Sequence, residues 1–518
     1  MAYSYLPVDR DQLFLLPASM REWLPEDHLA WFVIDVVDRV DTSAFDALHP
    51  NDGAGRPAYD PKMLLALLLY AYAEGMFSSR RIERLCRSDV AYRVICANHS
   101  PDHTAIARFR ADHEQAVKGV FIDVLVLCAA AGVTSLGTIA IDGTKIAAAA
   151  SLRANRTRGA VRAELERLRA AIDVLLAEAM SADAAEDRVF GQARGDELPP
   201  ELADPRSRAR RLEQALAQLA AMDAAAPAPK GAPKAEEMAR AGRRVAGRRP
   251  KGAHAALARA EADLEAVRTN IEAARAAREA RRTAAGNYVG RPPTREAGRL
   301  EAAQRRLDEA RAAAERATTE ARVNVTDPQS RVMPSQHGWL QGYNAQAAVD
   351  ANQVVIACSV TNEGNDSPQF LPMMQAVAAN LEEVGADASG SVLLADAGYW
   401  SEVNATAPGP DRLIATMKSH RQREMSRSLG TTEGPPPPGA SAADAMEHRL
   451  RTHEGASTYA ARSHTVEPVF AGHKDNRGFR RFSRRGLDAV SSEWSLINTT
   501  HNLRKLWRSN PGFVPPLG

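Results

Sequence analysis

Three acids in this chain stand where they could do chemistry. Residues 137–146 read GTIAIDGTKI: an apolar, partly β-branched run ends in Asp142 with Gly143 directly behind it, the pattern of a buried strand delivering a carboxylate to its end. SVLLADAGYW puts Asp396 at the end of a second apolar run, and TVEPVFAGHK puts Glu467 in an expected helix. One aspartate at a strand end most often only caps a turn. Three acids drawn together from distant parts of a chain make the pattern of a metal-dependent phosphoryl-transfer site. Three close carboxylates repel one another by about 4 kcal/mol per pair at moderate dielectric, so the cluster makes sense mainly with cations present. Oxygen-only ligands favour Mg²⁺ or Mn²⁺ over zinc.

The elements that must position these acids follow from the pattern around them. After Arg322 the sequence predicts a strand over 343–349, a turn at 350–352 and a strand over 354–360, with Gly338 and Gly342 just before them. Paired with the strand of Asp142, these make an antiparallel unit of three. A helix over about 368–383, the strand SVLLAD, the strand RLIATMK and the helix around Glu467 complete the order three strands, helix, strand, strand, helix. That is the order of a ribonuclease-H-like fold: a mixed sheet with flanking helices, in class α+β or α/β. Fold alone does not establish activity.

The N-terminal third reads as all-α. Helical spacing starts near Asp27, a second helix starts at Pro61, a favourable first-turn residue, and FSSRRIERLCRSDVAYRVICANHSPDHTAIARFRADH gives helix, short turn and helix. Arg80, Arg81, Arg84, Arg108 and Arg110 on that stretch suit a helix-turn-helix-like DNA module, and equally an ordinary bundle with solvated arginines. Past Ser151 the composition turns to Ala, Arg, Glu and Leu. Long amphipathic helices flanking residues 224–252 predict a helical hairpin or short coiled coil. Its basic run RRVAGRRPK suits either nucleic acid, a second subunit, or a solvated tip.

Bulk numbers bound the answer. At 518 residues the chain should hold two to four domains, and its 45% hydrophobic content supplies at least one large core. The net charge of +2 hides an asymmetry, since residues 474–508 carry nine Lys/Arg against three acids, a concentration that could meet a polyanion. Cys86, Cys96, Cys128 and Cys358 form no zinc spacing and predict buried, reduced thiols of a cytosolic protein. No signal peptide and no run of about 18 apolar residues is present. The expectation is therefore a cytoplasmic, nucleoid-associated protein without a membrane.

The stretches YDPKMLLALLLYAYAEGMFSSRRIERLCRSDVAYR, PDHTAIARFR, AIDGTKIAAAAS, DPQSRVMPSQHGWLQGYNAQAAVD, LLADAGYWSE, VEPVFAGHKDNRGFRRFSRRGL and HNLRKL together resemble bacterial insertion-sequence transposases of the DDE type. The resemblance is to the branch with a helical N-terminal domain and a helical insertion after the first catalytic strand. It implies a DNA-binding domain over 1–125 and a discontinuous ribonuclease-H-like catalytic domain over 126–152 plus 323–508. It also implies a helical insertion over 153–322, followed by a tail over 509–518. Asp142, Asp396 and Glu467 are then the catalytic acids and the metal ligands. A Tyr, Arg, Glu, Lys signature reads here as Tyr459, Arg462, Glu467 and Lys474.

Glu467 and Lys474 lie two helical turns apart and should share a face. Arg462 lies five before Glu467, one more than in the related group where this signature is best known. That offset takes it off the Glu face of a regular helix, so either the helix starts near Ser463 or Arg462 has a looser role. Tyr459, Arg462 and Lys474 would hold phosphates near the break, with Arg477, Arg480 and Arg481 adding to a broad basic surface.

The implied activity is cleavage of the element's ends and joining to target DNA by two Mg²⁺ or Mn²⁺ ions about 3.5–4 Å apart. The implied partner is double-stranded DNA, with a homodimer or higher oligomer as the active complex. The rival readings are a decayed DNA-binding remnant, a nuclease without strand transfer, and a structural coiled-coil protein, the last leaving the strand-borne acids unexplained.

Overall fold

The computed structural model describes residues 19–46, 59–190, 200–224, 253–285, 296–335, 338–417, 421, 424 and 428–510. The chain forms two compact units, one of residues 1–150 with 329–518 and one of residues 151–328. The basic run expected at the insertion tip and the tail from 511 onward lie outside the described residues.

The first unit begins with helices. These are α1 (Leu29–Val37), α2 (Pro61–Ala73), α3 (Ser79–Ser88), α4 (Val90–Ile95), α5 (His103–Asp112) and α6 (Glu114–Ala130). In α2, Asp60 accepts from the Lys62 (2.7 Å) and Met63 (3.4 Å) amides, and Pro61 occupies the first turn, where its missing N–H costs nothing. The helix is apolar all round because residues 64–73 are buried on every side. Asp123 on α6 is half-buried, and burial, with Asp41 nearby, pushes its carboxyl up to about 6.

The sign for stability follows from that shift. Folded Asp123 binds its proton more tightly than the unfolded side chain near 3.8. Its penalty is absent below about pH 4, sets in as pH rises, and is complete above about pH 6. Asp123→Asn should therefore raise stability by about 1–2 kcal/mol at pH 7.5, after allowing for solvent screening, and change little at pH 4. Urea unfolding at the two pH values reads this out. Equal gains at both would show that the charge is not what burial penalises.

The sheet of this unit holds β1 (Thr138–Ala147), β2 (Arg331–Ser335), β3 (Gly338–Asp350), β4 (Val355–Thr361), β5 (Val392–Ala395) and β6 (Asp411–Ile414). Along one edge β3 pairs antiparallel first with β2 and then with β4, and along the other antiparallel with β1; β5 and β6 continue the sheet in parallel. The strand expected to start at Tyr343 starts five residues earlier, because the ladder to β2 takes up residues 338–342. Helices α7 (Phe370–Glu383), α8 (Ala442–Arg451), α9 (His453–Ala471) and α10 (Leu487–Ser509), with the short helix Glu402–Thr406, belong to the same unit. One core joins the N-terminal helices to the sheet.

Two side chains of α10 bond the backbone of the sheet. Asn502 accepts from the Val355 amide and donates to its carbonyl, both at 2.8 Å, as a neighbouring strand would. Trp494 donates its indole N–H to the Gln346 carbonyl at 2.9 Å.

The second unit is helical apart from a two-stranded ribbon, Asn155–Thr157 with Arg322–Asn324. Helix Arg158–Phe190 packs on Pro200–Ala224 around Val161, Leu165, Leu212 and Leu219, and helix Ala253–Ala285 packs on Glu296–Glu320 around Leu264, Val267, Ile271 and Leu307. The helices that flank residues 225–252 each pack on a different partner, so the described residues of the unit form two helix pairs in place of the one expected hairpin.

All four cysteines are free, with Cys86, Cys96 and Cys128 buried. Among the described residues no helix is long and apolar enough to cross a membrane.

Candidate active site

Strand β1 reaches Asp142 through three fully buried residues, Ile139, Ala140 and Ile141. Its parallel pairing with β5 sets Ile141 beside Ala395. The next residue on each chain is an acid, so Asp142 and Asp396 come out side by side, on strands about 4.8 Å apart. Asp142 Oδ1 accepts from the Gly143 amide (2.7 Å) and Asp396 Oδ1 from the Gly398 amide (2.8 Å). Burial is the main cause that pushes the Asp142 carboxyl up to about 6; Asp396 and Asp366 push the same way, while Arg462 and the Gly143 amide pull against them.

Helix α9 brings the rest of the expected signature. Pro468 lies inside it and leaves the His464 carbonyl without its helical donor; Gln353 Nε2 donates to that carbonyl at 3.0 Å. Arg462 Nη1 donates to Asp142 Oδ2 (3.0 Å) and Nη2 to Glu467 Oε1 (3.3 Å). The guanidinium thus stands between the two carboxylates and offsets their repulsion. The Arg462 side chain is 13% exposed, that of Glu467 57%. Tyr459 donates its hydroxyl to the Ala395 carbonyl at 3.3 Å, and burial holds its phenol above the ordinary range.

The helix does not start near Ser463: it runs from His453, and Arg462 lies within it. The long side chain of Arg462, not its helical phase, carries it to both acids. Glu467 reaches the aspartate pair through Arg462. Asp142 and Asp396 are neighbours, Glu467 is set off by Arg462, and among the described residues no three acidic, imidazole or thiol groups form a metal-holding cluster. The aspartate pair still offers hard oxygen donors, which suit a hard divalent cation better than zinc.

Lys474 lies past the end of α9 in a π-helical turn, Gly472–Asn476, so it is not simply two regular turns beyond Glu467. Its Nζ donates to Thr144 Oγ1. Thr144 and Asp142 are two apart on β1 and share a face. Lys474 therefore arrives on the face of β1 that Arg462 approaches. Burial first, then Arg480, lowers its ammonium below the usual lysine range.

On the opposite face of β1, Lys145 Nζ pairs with Asp366 Oδ1 at 3.0 Å. Asn344 and Gln346 of β3 donate to the same oxygen, and Gln346 Oε1 accepts from Tyr399. Tyr399 is fully buried; burial first, then Asp142, Asp366 and Asp396, holds its phenol well above the usual range and so protonated. The sequence reading singled out none of Lys145, Asn344, Gln346, Asp366 and Tyr399. An Asp before Ser-Pro reads as a helix cap, and Asn and Gln in a strand carry no signal of their own.

The arginines divide. Arg480 pairs with Asp475 and is exposed, as is Arg481. Arg484 pairs with Glu114, and Arg485 donates to the Ala149 carbonyl. Arg477 is turned inward: it donates to Thr500 Oγ1 (2.8 Å) and the Ile497 carbonyl (3.1 Å) and meets His473 Nδ1 (2.6 Å), and burial lowers its guanidinium to about 9. It belongs to the packing of α10 and not to a basic surface. Arg477→Ala is expected to cost about 2 kcal/mol or more in urea unfolding, by orphaning those acceptors, and to leave the salt slope of DNA affinity unchanged. A flattened slope in folded protein would return Arg477 to the surface.

In the N-terminal helices Arg80, Arg81, Arg84 and Arg108 are exposed. Arg110 is not free to face a ligand: it donates to Tyr72 Oη (2.5 Å) and the Phe77 carbonyl (3.4 Å).

Residues 18–112 match the family model described as Transposase domain (DUF772), and residues 436–507 match Transposase DDE domain. The second match takes in Tyr459, Arg462, Glu467 and Lys474. The two matches support an insertion-sequence transposase of the DDE type. No curated protein and no solved structure matches the chain. Both matched segments fall in the first compact unit, one on the N-terminal helices and one on α8, α9 and α10.

Proposed function

We propose that this transposase binds the ends of its mobile element and catalyses their cleavage and joining to target DNA through a ribonuclease-H-like domain. The observation that carries this reading is the register that sets Asp142 beside Asp396, with Arg462 reaching Asp142 from the helix that also carries Glu467. Asp142 and Asp396 are the residues to hold divalent cations, two Mg²⁺ or Mn²⁺ ions, with Glu467 as the third acid. Such ions supply activation of a water or 3′-hydroxyl and stabilisation of the leaving oxygen.

The protein's own groups do the rest. Arg462 and Lys474 present cationic donors on one side of β1 and orient the phosphates flanking the scissile bond. Tyr459, anchored on the Ala395 carbonyl, fixes α9 against the strand that ends at Asp396. Gly143 and Gly398 donate their amides to the two aspartates and hold each carboxyl plane. Arg80, Arg81, Arg84 and Arg108 form the exposed basic face that meets element ends, and Arg480 and Arg481 add sequence-independent phosphate contacts. Double-stranded DNA is the partner, and a dimer or larger assembly, cytoplasmic and nucleoid-associated, is the active form.

Purified protein incubated with labelled element ends, target DNA and Mg²⁺, with cleavage and joining scored separately, tests the reading. Cleavage with joining supports it. Cleavage alone would make the protein a nuclease, and neither, with end binding retained, a decayed remnant.

A further inference from the structure

Asp366 is an acid of this site to which no role has been given. It sits between β4 and the short turn Ser367–Gln369 that leads into α7. Its Oδ1 accepts from Lys145 Nζ (3.0 Å), Asn344 Nδ2 (2.7 Å) and Gln346 Nε2 (3.1 Å). Three donors on one oxygen fix the carboxyl plane, and Oδ2 takes none of these bonds. That second oxygen borders the space beside Asp396: a Cβ built on Gly398 would lie 2.9 Å from Asp396 Oδ1 and 3.6 Å from Asp366 Oδ2. The space is open only because residue 398 has no side chain. Gly143 tells the same story from β1, since a Cβ there would run into Gln346 Nε2 and come within 2.8 Å of Asp366 Oδ1. Gly143 is thus required by where Asp366 and its donors lie, and Gly398, two residues past Asp396, by the Asp396 carboxylate itself.

A salt bridge to Lys145 alone would not need the second oxygen turned to Asp396. Setting another negative charge there costs Coulomb energy. The arrangement becomes favourable when positive charge enters the space.

We infer that Asp366 is a positioning residue of the transposase site: its outward oxygen adds negative charge beside Asp396 and draws the divalent cation to the aspartate pair. The inference rests on the reading under Proposed function. Asp366→Asn suits the test because asparagine keeps the acceptor for Lys145, Asn344 and Gln346 and neutralises the outward oxygen.

The probe is Mn²⁺ alone, titrated into the full-length protein without DNA, with free Mn²⁺ read by electron paramagnetic resonance. Asp366→Asn should weaken Mn²⁺ binding about tenfold, with an unchanged melting temperature in the absence of metal. Asp366→Ser, which removes the charge without placing an amide beside Asp396, should do the same. It decides the matter if Asp366→Asn fails to fold. Wild-type Mn²⁺ affinity in the folded variants overturns the inference. The control is Asp142→Asn: if it loses Mn²⁺ binding and cleavage while Asp366→Asn keeps both, only the role of Asp366 falls. If Asp142→Asn itself keeps both, the reading of the site falls, and this inference with it.

Discussion

Asp142→Asn and Asp396→Asn are each expected to lower cleavage of element ends by roughly a thousandfold or more, about 4 kcal/mol of transition-state stabilisation, while end binding changes little. The two side chains are neighbours across the β1–β5 ladder, so neither has a substitute at its position. Asparagine keeps the size of each and the acceptor for the Gly143 or Gly398 amide, which separates loss of charge from loss of fold. Circular dichroism, a gel-shift with element ends and a cleavage assay with Mg²⁺ on the same preparations make the comparison. Cleavage within tenfold of wild type by either variant would remove that aspartate from the reaction. Glu467→Gln in the same series tests the third acid, whose carboxylate lies further out and against Arg462.

Replacing Arg462 should be almost as damaging, for a different reason. Its guanidinium answers Asp142 and Glu467 at once, through two nitrogens of one planar fork. Arg462→Ala leaves Asp142 buried among like charges without its counter-charge and removes a donor from the phosphate path. A loss of about a hundredfold in cleavage is expected, with weaker binding of pre-cleaved ends. Arg462→Lys should rescue little of it, because a single ammonium cannot span both carboxylates in the same geometry. Full activity of the lysine variant would show that only charge matters at this position, and that the bridge seen here is incidental.

How much of this was legible beforehand depends on the kind of signal. Strands β1, β5 and β6 and helices α7 and α9 follow from apolar runs and turn residues, which a single sequence displays directly; the antiparallel pairing of β1 with β3 was a condition that the register supplies. Asp142 and Asp396 stand out because each ends such a run ahead of a glycine. Arg110 and Arg477 look in sequence like their exposed neighbours. Whether an arginine faces solvent or satisfies buried acceptors depends on which element packs over it, here the Tyr72 hydroxyl for one and α10 for the other. Spacing along a helix could not decide Arg462 either, since its reach of several ångströms overrides a phase difference of one residue.

The sequence by itself determined which acids end buried strands, where the helices at Leu29, Pro61 and Ser79 begin, and that long Ala/Arg/Glu helices interrupt the chain after β1. These are local properties, set by side-chain periodicity and backbone preference over a few residues. Only the tertiary structure decided that Asp142 and Asp396 stand in register and that Arg462 parts Glu467 from them. It alone decided that Asp366 arrives from between β4 and α7, and that the described helices of the insertion form two pairs. Those outcomes depend on charge and packing between segments up to some 320 residues apart. Coulomb repulsion among carboxylates, and the donors that relieve it, act through space and leave no mark on the order of residues.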